Sequence, residues 1–213
     1  MGCGSALPSL VLFQHALRQH HRLHLTLTDY NASVLRLVTL PNLLLAWCAC
    51  LAPSESAALF GETEVNPLVA ADPHAQGPSG DLYISPALVA AFKTSLASLG
   101  ISLTLLSGSW VPLPAFLALV PSHPDLHTLV LASETIYSVA SLTAFTAAMV
   151  ALMRRVRGAS ALVAAKKVYF GVGGSVDAFR DECRGLGAVV GEVGGEQGGE
   201  GVRRWIGEVR LGA

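Results

Sequence analysis

The chain has 213 residues, with 14 basic and 15 acidic side chains, a formal net charge of −1 and 52% hydrophobic residues. This length suffices for one α/β domain, and the balanced charge excludes a general electrostatic attraction to nucleic acid or to an anionic membrane. The four cysteines, Cys3, Cys48, Cys50 and Cys183, have neither zinc-site nor secreted-disulfide spacing, which favours a reducing cytoplasmic or nuclear location.

A glycine turn opens the chain: Gly2 and Gly4 come directly after Met1, and a helical pattern begins around Pro8. Such a turn lets the backbone approach a nucleotide-like ligand closely and points a helix N-terminus at that ligand. The turn would normally follow a buried strand. We therefore expect the first strand of the sheet to be missing from residues 1–213.

Helical and strand patterns then alternate along the chain. The first half is predicted to form a helix over residues 8–19, a strand over 23–29, a helix over 31–50 that is kinked or split at Pro41, an exposed insertion over 53–80, and a helix over 86–99 with Ser85 as its cap and Gly100 at its end. The second half is predicted to form strands over 101–106, 126–132 and 160–166, helices over 114–120, 138–156 and 175–184, and a final antiparallel hairpin of strands 187–193 and 202–211, joined by a glycine-rich loop over 194–201. This order predicts a single domain, residues 1–213, with a mainly parallel sheet.

The high hydrophobic fraction makes an integral membrane protein the first alternative. Residues 135–153 carry no charge, and Arg154, Arg155 and Arg157 follow, as in a membrane helix with a positive flank. The segment is rich in Ala, Ser and Thr, however, and a helix buried against a parallel sheet is also apolar on nearly every side. We therefore interpret it as a core helix.

Ligands of an open parallel sheet bind beyond the carboxyl ends of its strands, and four strand ends carry candidate residues. These are Gly2 and Gly4, Asp29, Gly108-Ser109-Trp110, and Ser133-Glu134. Asp29 can accept hydrogen bonds from ribose hydroxyls or cap the next helix, and Trp110 can stack on adenine or belong to the core. Glu134 directly follows an apolar strand, so its carboxylate should face a cleft or be paired. Together these positions predict one cofactor cleft.

Two other clusters predict no ligand. His20, His21 and His24 lack the spacing of a metal-binding helix face, so we expect no metal site. The glycines at 171–174 lack the ending of a phosphate-binding loop, and we interpret them as a turn that enters a helix capped by Ser175.

Several short sequence motifs are more specific than these general patterns. They are Asp29-Tyr30-Asn31, Val34-Leu35, Val38-Thr39-Leu40-Pro41-Asn42, Ser107-Gly108-Ser109-Trp110, Ser133-Glu134-Thr135-Ile136-Tyr137 and Tyr169-Phe170-Gly171-Val172-Gly173-Gly174. Over nearly the whole chain they resemble the protein-histidine N-methyltransferases, eukaryotic seven-strand enzymes that methylate a histidine in a large-subunit ribosomal protein. The resemblance implies an α/β, Rossmann-like methyltransferase sandwich with a mostly parallel sheet and a C-terminal antiparallel hairpin.

The resemblance also implies roles for single residues. S-adenosylmethionine would be bound by Gly2, Gly4, Asp29, Ser109, Trp110 and Ser133. Glu134 and Tyr137 would be catalytic, with Glu134 fixing the imidazole tautomer and stabilising the cation that forms. The substrate peptide would lie near Tyr169, Phe170 and Gly173. The expected partner is a protein, a large-subunit ribosomal protein, bound by a monomer in the cytoplasm and nucleus without direct contact with nucleic acid or membrane.

Two features depart from the family pattern. The apolar strand before the glycine turn is absent, which would remove about ten ladder hydrogen bonds of roughly 1 kcal/mol each from a domain whose stability is typically about 5–15 kcal/mol. We therefore expect residues 1–213 alone to be unstable or inactive. Ala6 occupies the position where many methyltransferases have a third glycine, which narrows the room near the cofactor.

Three alternatives remain open. A protein-lysine methyltransferase of the same superfamily would share the cofactor and differ in the target side chain. A non-catalytic remnant would bind a ribosomal protein without binding S-adenosylmethionine or S-adenosylhomocysteine. An integral membrane protein would pellet with membranes and resist carbonate extraction.

Overall fold

The computed structural model describes residues 1–60, Asn66, Leu68, 81–195 and 204–212. The chain divides into two compact units. The first comprises Met1–Cys3, Thr26–Ala32 and Leu105–Ala213, and the second comprises Gly4–Leu25 and Ser33–Thr104. Each unit is described by itself below.

Helices and strands occupy most of the described residues. In chain order they are α1 (Leu7–Gln19), β1 (Leu23–Asp29), α2 (Ala32–Val34), a π-helical turn (Leu35–Thr39), α3 (Leu40–Cys48), α4 (Pro53–Phe60), α5 (Pro86–Leu99), β2 (Ile101–Ser107), α6 (Leu113–Leu119), β3 (His127–Ser133), α7 (Val139–Met153), β4 (Gly158–Lys166), α8 (Val176–Gly185), β5 (Ala188–Gly195) and β6 (Arg204–Leu211). The structure is therefore α/β, and the predicted alternation of helices and strands is confirmed.

The first unit contains a four-stranded sheet in the order β3-β4-β6-β5. Strands β3 and β4 are parallel, with His127 opposite Gly158 and Ser133 opposite Ala164. Strand β6 is antiparallel to both β4 and β5, so the predicted terminal hairpin is confirmed. The sequence predicted a mainly parallel sheet. Because β6 inserts between β4 and β5, this sheet is instead mixed.

Aromatic rings form the core of the first unit. The rings of Trp110, Phe145, Phe179 and Trp205 follow one another with centroid separations of 5.6, 6.1 and 6.2 Å. Phe145 and Phe179 are fully buried on α7 and α8. Buried residues occur on several sides of α7, which explains why its sequence is apolar almost all round.

The second unit is mainly helical, and its core lies among α1, α3 and α5. Phe13 and Leu43 are fully buried, and the Trp47 ring meets Phe92 edge-on at 5.4 Å. The Trp47 indole N–H donates to the Ser95 hydroxyl at 3.0 Å, so the buried ring keeps a partner for its polar atom.

Helix α5 confirms its predicted ends. The Ser85 hydroxyl accepts the Leu88 N–H at 3.1 Å, Pro86 lies in the first turn, and Gly100 ends the helix with φ +65°. Glycine suits that position because side chains disfavour the left-handed region.

Strands β1 and β2 form a separate two-stranded sheet, and the boundary between the two units falls within both strands. Within the described residues, no strand pairs β1 with β3. The strands predicted from the sequence therefore belong to two sheets in the part of the chain that the structure describes.

The helix predicted over residues 31–50 is interrupted next to Pro41. A π-helical turn precedes α3, and the proline in the first turn of α3 offers no N–H to that preceding turn. Residues 53–60 of the predicted insertion form α4, where the Glu55 carboxylate accepts the Ala52 N–H at 2.9 Å. The remainder of that insertion, apart from Asn66 and Leu68, and the hairpin connection at 196–203 lie outside the described residues.

Among the described helices, none alone is long and apolar enough to cross a membrane. One pair, Ala32–Cys48 with Pro53–Phe60, passes the same test of length and composition, but it is bent by 118°. Residues 139–153 of the uncharged segment form α7, most of whose buried residues belong to the core of the first unit.

Candidate functional site

A cavity of about 520 Å³ opens in the first unit, where β1, β2 and β3 end and α7 begins. Its lining residues are Gly2, Asp29, Tyr30, Gly108, Ser109, Trp110, Val111, Ser133, Glu134, Thr135, Tyr137, Ser138, Ala140, Ser141 and Ala144. This volume lies within the usual range for small-molecule sites. The cavity also has the position expected for a ligand site at the carboxyl ends of strands.

Seven of the residues that the resemblance assigns to cofactor binding or catalysis line this cavity. They are Gly2, Asp29, Ser109, Trp110, Ser133, Glu134 and Tyr137. Gly4 does not line it, and its carbonyl accepts the Thr39 hydroxyl at 2.6 Å. Tyr169, Phe170 and Gly173 are also outside the lining and belong to a loop that contacts it.

The glycine turn is bonded to two strands. The Cys3 N–H donates to the Thr28 carbonyl of β1 at 2.9 Å, and the Met1 ammonium donates to the Leu131 carbonyl of β3 at 2.6 Å. Burial lowers the pKa of that ammonium to about 6. Gly2 has φ +60°, so both its conformation and its surroundings favour glycine at the cavity wall.

Asp29 and Trp110 are held in place by neighbouring polar groups. The Asp29 carboxylate accepts the Asn31 N–H at 3.1 Å, as in a turn that caps the following helix, and the Asp29 carbonyl accepts the Gly108 N–H at 3.0 Å. The Trp110 indole N–H donates to the Thr28 hydroxyl at 3.3 Å, and its ring is tilted against Phe145. Trp110 therefore lines the cavity and also packs on the core.

Glu134 follows β3 in an unusual backbone conformation. Its φ is +56°, which is uncommon for a residue with a side chain, and its N–H donates to the Ala164 carbonyl of β4 at 2.9 Å. The Glu134 Oε2 atom accepts the Tyr169 hydroxyl at 2.8 Å. The carboxylate is thus both in the cleft and paired, which were the two possibilities given by the sequence.

The loop between β4 and α8 shows two opposite side-chain environments. Tyr169 is buried, whereas the next residue, Phe170, is 92% exposed. Bridges between Val168 and Ser175 and between Ser138 and Gly173 fix the loop, and the Gly174 N–H donates to the Tyr137 carbonyl at 3.2 Å. The loop is therefore bonded to the residues that line the cavity.

The charges of the cavity have one sign. Asp29 and Glu134 are the charged side chains among the described lining residues, and none of these residues is basic. Such a lining favours a cationic or neutral ligand and disfavours a phosphate group, which would meet two carboxylates.

Sequence reasoning missed the wall formed by the start of α7. Ser138 caps that helix by accepting the Ser141 N–H at 3.3 Å, and the Ser141 hydroxyl donates to the Thr135 carbonyl at 2.6 Å. Ala140, Ser141 and Ala144 lie on one helical face, so their small side chains leave room for a ligand. The pattern of small residues after Ser138 was available in the sequence but does not by itself indicate a cavity.

No family model matches the chain. Two curated proteins are similar to it, and both are named histidine protein methyltransferase 1. The protein from Saccharomyces cerevisiae is 38% identical over 185 residues, which cover 84% of this chain and 47% of the relative. The protein from Schizosaccharomyces pombe is 37% identical over 188 residues, which cover 87% of this chain and 48% of the relative. The chain spans about half the length of these curated relatives.

Proposed function

The chain belongs to the histidine protein methyltransferase family, and from this premise we propose that it transfers a methyl group from S-adenosylmethionine to a histidine side chain of a protein. The observation that supports the proposal most directly is the cavity of the first unit. Its described lining includes the carboxylates of Asp29 and Glu134 and contains no basic residue. The relatives are named for this activity, and the cavity has the charge that the chemistry requires.

The cavity suits S-adenosylmethionine better than a dinucleotide. The ligand carries a cationic sulfonium and no phosphate, so two carboxylates attract it, whereas they would repel a pyrophosphate. Asp29 would accept hydrogen bonds from the ribose hydroxyls, and the Trp110 ring would form the cavity wall next to the adenine. Gly2, Ser109 and Ser133 would form the neighbouring walls.

When bound, S-adenosylmethionine supplies an electrophilic methyl group for an in-line displacement. The protein's part is therefore mainly to position the imidazole and to stabilise its developing positive charge. Glu134 uses Oε2 to accept the Tyr169 hydroxyl, and Oε1 would accept the substrate's ring N–H. This hydrogen bond would leave the other ring nitrogen unprotonated as the nucleophile. Tyr137, half exposed at the same wall, would contact the ring from the side.

The acidic cavity also favours histidine over lysine as the target. An imidazole has a pKa of about 6.5 and is largely neutral at pH 7, whereas a lysine with a pKa of about 10.4 must lose a proton before it can attack. A nearby carboxylate stabilises the ammonium form of lysine and opposes that loss. The same carboxylate stabilises the cationic product of histidine methylation.

The fold would be the Rossmann-like, seven-strand methyltransferase sandwich, completed by a strand between β1 and β3. The bonds of Cys3 to Thr28 and of Met1 to Leu131 support this, because residues 1–3 contact a strand on each side, as the end of a parallel strand would. A strand in that position would replace the buried Met1 ammonium with a neutral amide. We call residues 1–213 preceded by a short apolar strand the strand-extended form.

The substrate would be a protein, with a large-subunit ribosomal protein as the proposed target, and the enzyme would act as a monomer in the cytoplasm and nucleus. Val172 and Phe170 support a protein substrate, because they expose apolar surface on the loop that contacts the cavity wall. Exposed apolar residues next to a site are typical of surfaces that bind another macromolecule.

Calorimetric titration of S-adenosylhomocysteine tests the cofactor part of the proposal, with NAD as the matched control ligand. Residues 1–213 and the strand-extended form would be titrated in parallel. We expect S-adenosylhomocysteine to bind the strand-extended form and NAD to bind neither protein. Failure of S-adenosylhomocysteine to bind either form, while a peptide partner still binds, would favour the non-catalytic alternative.

A further inference from the structure

We propose that Tyr169 is a positioning residue, whose hydroxyl group holds the Glu134 carboxylate in the orientation needed to accept the N–H of the substrate imidazole. This inference rests on the proposed function, because it assigns Tyr169 to the same reaction. It also changes the role implied by resemblance, since Tyr169 would act through Glu134 and not by contact with substrate.

The first support is the hydrogen bonding of the Tyr169 hydroxyl. It donates to Glu134 Oε2 at 2.8 Å and accepts the Lys166 N–H at 3.2 Å. The hydroxyl thus links a backbone group at the end of β4 to a carboxylate at the end of β3. Because it both donates and accepts, its proton is directed at the carboxylate.

The second support is the rigidity of the Tyr169 ring. The residue is 8% exposed and belongs to the core cluster of the first unit. Its N–H donates to the Gly174 carbonyl at 2.9 Å, so the backbone is fixed as well. A buried ring with a fixed backbone has few alternative positions, which makes its hydroxyl a precise donor.

The third support is the position of Glu134. Its backbone adopts φ +56° and is bonded to Ala164 of β4, so the residue is held in a conformation that costs free energy. The Glu134 side chain itself is exposed and would otherwise sample several rotamers. The hydrogen bond from Tyr169 selects one orientation of the carboxylate. In this orientation Oε2 accepts the Tyr169 hydroxyl, and Oε1 would accept the N–H of the substrate imidazole. Glu134 is thus held at two points, by its backbone N–H on Ala164 of β4 and by its carboxylate on Tyr169 of the following loop, which positioning explains better than packing.

The proton that Tyr169 donates is retained over the working pH range. The pKa of Tyr169 is raised to about 12, chiefly by burial and also by the neighbouring Glu134 carboxylate, while the hydrogen bond from the Lys166 backbone lowers it. The Lys166 ammonium also faces the Tyr169 ring, 5.8 Å from its centroid. The phenol is therefore protonated and able to donate throughout the neutral range.

The first test is Tyr169→Phe in the strand-extended form, with Tyr83→Phe as the matched control because Tyr83 is 82% exposed and lies outside the site. The phenylalanine ring preserves packing and removes only the hydroxyl group. We expect kcat for histidine methylation to fall by at least roughly tenfold, since a hydrogen bond to a charged group is lost. The KM for substrate and the affinity for S-adenosylhomocysteine should change less than twofold. A kcat equal to that of Tyr83→Phe would overturn the proposal.

The second test places a fluorinated tyrosine, whose phenol ionises at lower pH, at position 169 only. Below its pKa the phenol donates to Glu134, and above it the phenolate cannot donate and repels the carboxylate. Activity should therefore fall as the pH rises through the phenol pKa of this variant, whereas the wild-type protein keeps its activity over the same range. A purely structural tyrosine would give identical pH profiles.

The same fluorine provides a readout that does not depend on activity. We expect its NMR resonance to shift in Glu134→Gln, and the phenol pKa to fall because the neighbouring negative charge has been removed. An unchanged resonance and titration would overturn the contact itself. If the contact is observed but the strand-extended form without substitutions transfers no methyl group to histidine, the proposed function has failed and the positioning role fails with it. If methyl transfer occurs and Tyr169→Phe is fully active, only the positioning role has failed.

Discussion

A Cβ atom added to Gly2 would lie 2.9 Å from the Cγ2 methyl of Thr135. This separation is shorter than side chains tolerate, and Thr135 is 3% exposed and has little room to move. The glycine turn and the residues after β3 are thus fitted to each other at the cavity wall. The close approach gives Gly2 a steric requirement that Gly4 does not share, because nothing lies within 4 Å of a Cβ at Gly4.

Gly2→Ala should weaken S-adenosylhomocysteine binding by more than tenfold, because the new methyl group displaces Thr135 from the cavity wall. Gly4→Ala is the matched control, since its φ of +51° imposes a similar conformational strain of about 1–2 kcal/mol without the contact. Calorimetric titration of the strand-extended form measures both affinities. Equal losses in the two variants would show that backbone strain, and not the Thr135 contact, determines the effect.

Asp29→Asn should lower the affinity for S-adenosylhomocysteine by roughly tenfold, because hydrogen bonds from ribose hydroxyls to a carboxylate are stronger than those to an amide. The asparagine oxygen can still accept the Asn31 N–H, so the local turn should persist. Asp81→Asn, at an exposed position outside the cavity, is the control for the loss of one negative charge. Binding by Asp29→Asn at the wild-type affinity would remove Asp29 from the cofactor site.

The pH profile should distinguish histidine from lysine as the target. The value of kcat/KM for the protein substrate should rise as the pH increases through about 6.5, where the imidazole becomes neutral, and should then reach a plateau. Ionisation of the Tyr169 hydroxyl should not lower kcat/KM below pH 11, since its pKa is raised to about 12. A rate that keeps rising to pH 9 or 10 would instead indicate a lysine nucleophile. Initial rates with saturating cofactor, measured from pH 5 to 10, supply the profile.

Gly174→Ala should displace the loop that follows β4. A Cβ at this position would lie 2.5 Å from the Tyr137 carbonyl carbon and closer still to the Ile136 carbonyl oxygen, and neither backbone atom can move freely. We expect a higher KM for the protein substrate and a loss of stability of about 1–3 kcal/mol. Gly185→Ala, where a Cβ meets nothing within 4 Å, is the control and should unfold in urea at or above the wild-type midpoint. The prediction fails if both variants match the wild-type protein.

Cys183 should report the unfolding of the first unit. It is fully buried, and burial raises the pKa of its thiol to about 12, so the folded strand-extended form should react only slowly with iodoacetamide at pH 8. S-adenosylhomocysteine at about 100 times its dissociation constant should slow the alkylation roughly 100-fold, because it binds only the folded unit. Mass spectrometry of the labelled peptide gives the rate, with urea-unfolded protein as the control for full reactivity. Rapid native labelling would contradict the described packing of α8.

Local sequence patterns predicted the elements of this fold well where the determinants are short-range. Ser85, Pro86 and Gly100 determine the ends of α5, and the terminal hairpin follows from two alternating strands. The sheet order was harder to predict, because the insertion of β6 between β4 and β5 depends on pairing between distant segments. Helix α4 was missed although the Glu55 carboxylate accepts the Ala52 N–H, because the sequence of residues 53–80 mixes Pro, Gly, Ser, Ala and acids without clear periodicity.

In the candidate site too, features set by local sequence could be predicted, and features set by contacts between distant segments could not. The residues at the ends of β1, β2 and β3 could be predicted to meet, since parallel strands bring their carboxyl ends to one edge. The direction of individual side chains in the loop after β4 could not, because nothing local distinguishes the buried Tyr169 from the exposed Phe170. The bond from Tyr169 to Glu134 joins residues 35 positions apart and depends on the pairing of β3 with β4.

The central claim is best tested by identifying the amino acid that receives the methyl group. Large ribosomal subunits that lack the modification would be incubated with the strand-extended form and S-adenosylmethionine carrying a tritiated methyl group, and the protein fraction would be hydrolysed and separated. We expect label in methylhistidine, and we expect it to be lost in Glu134→Gln although that variant still binds S-adenosylhomocysteine. Label in methyllysine, or no transfer by a protein that binds the cofactor, would contradict it.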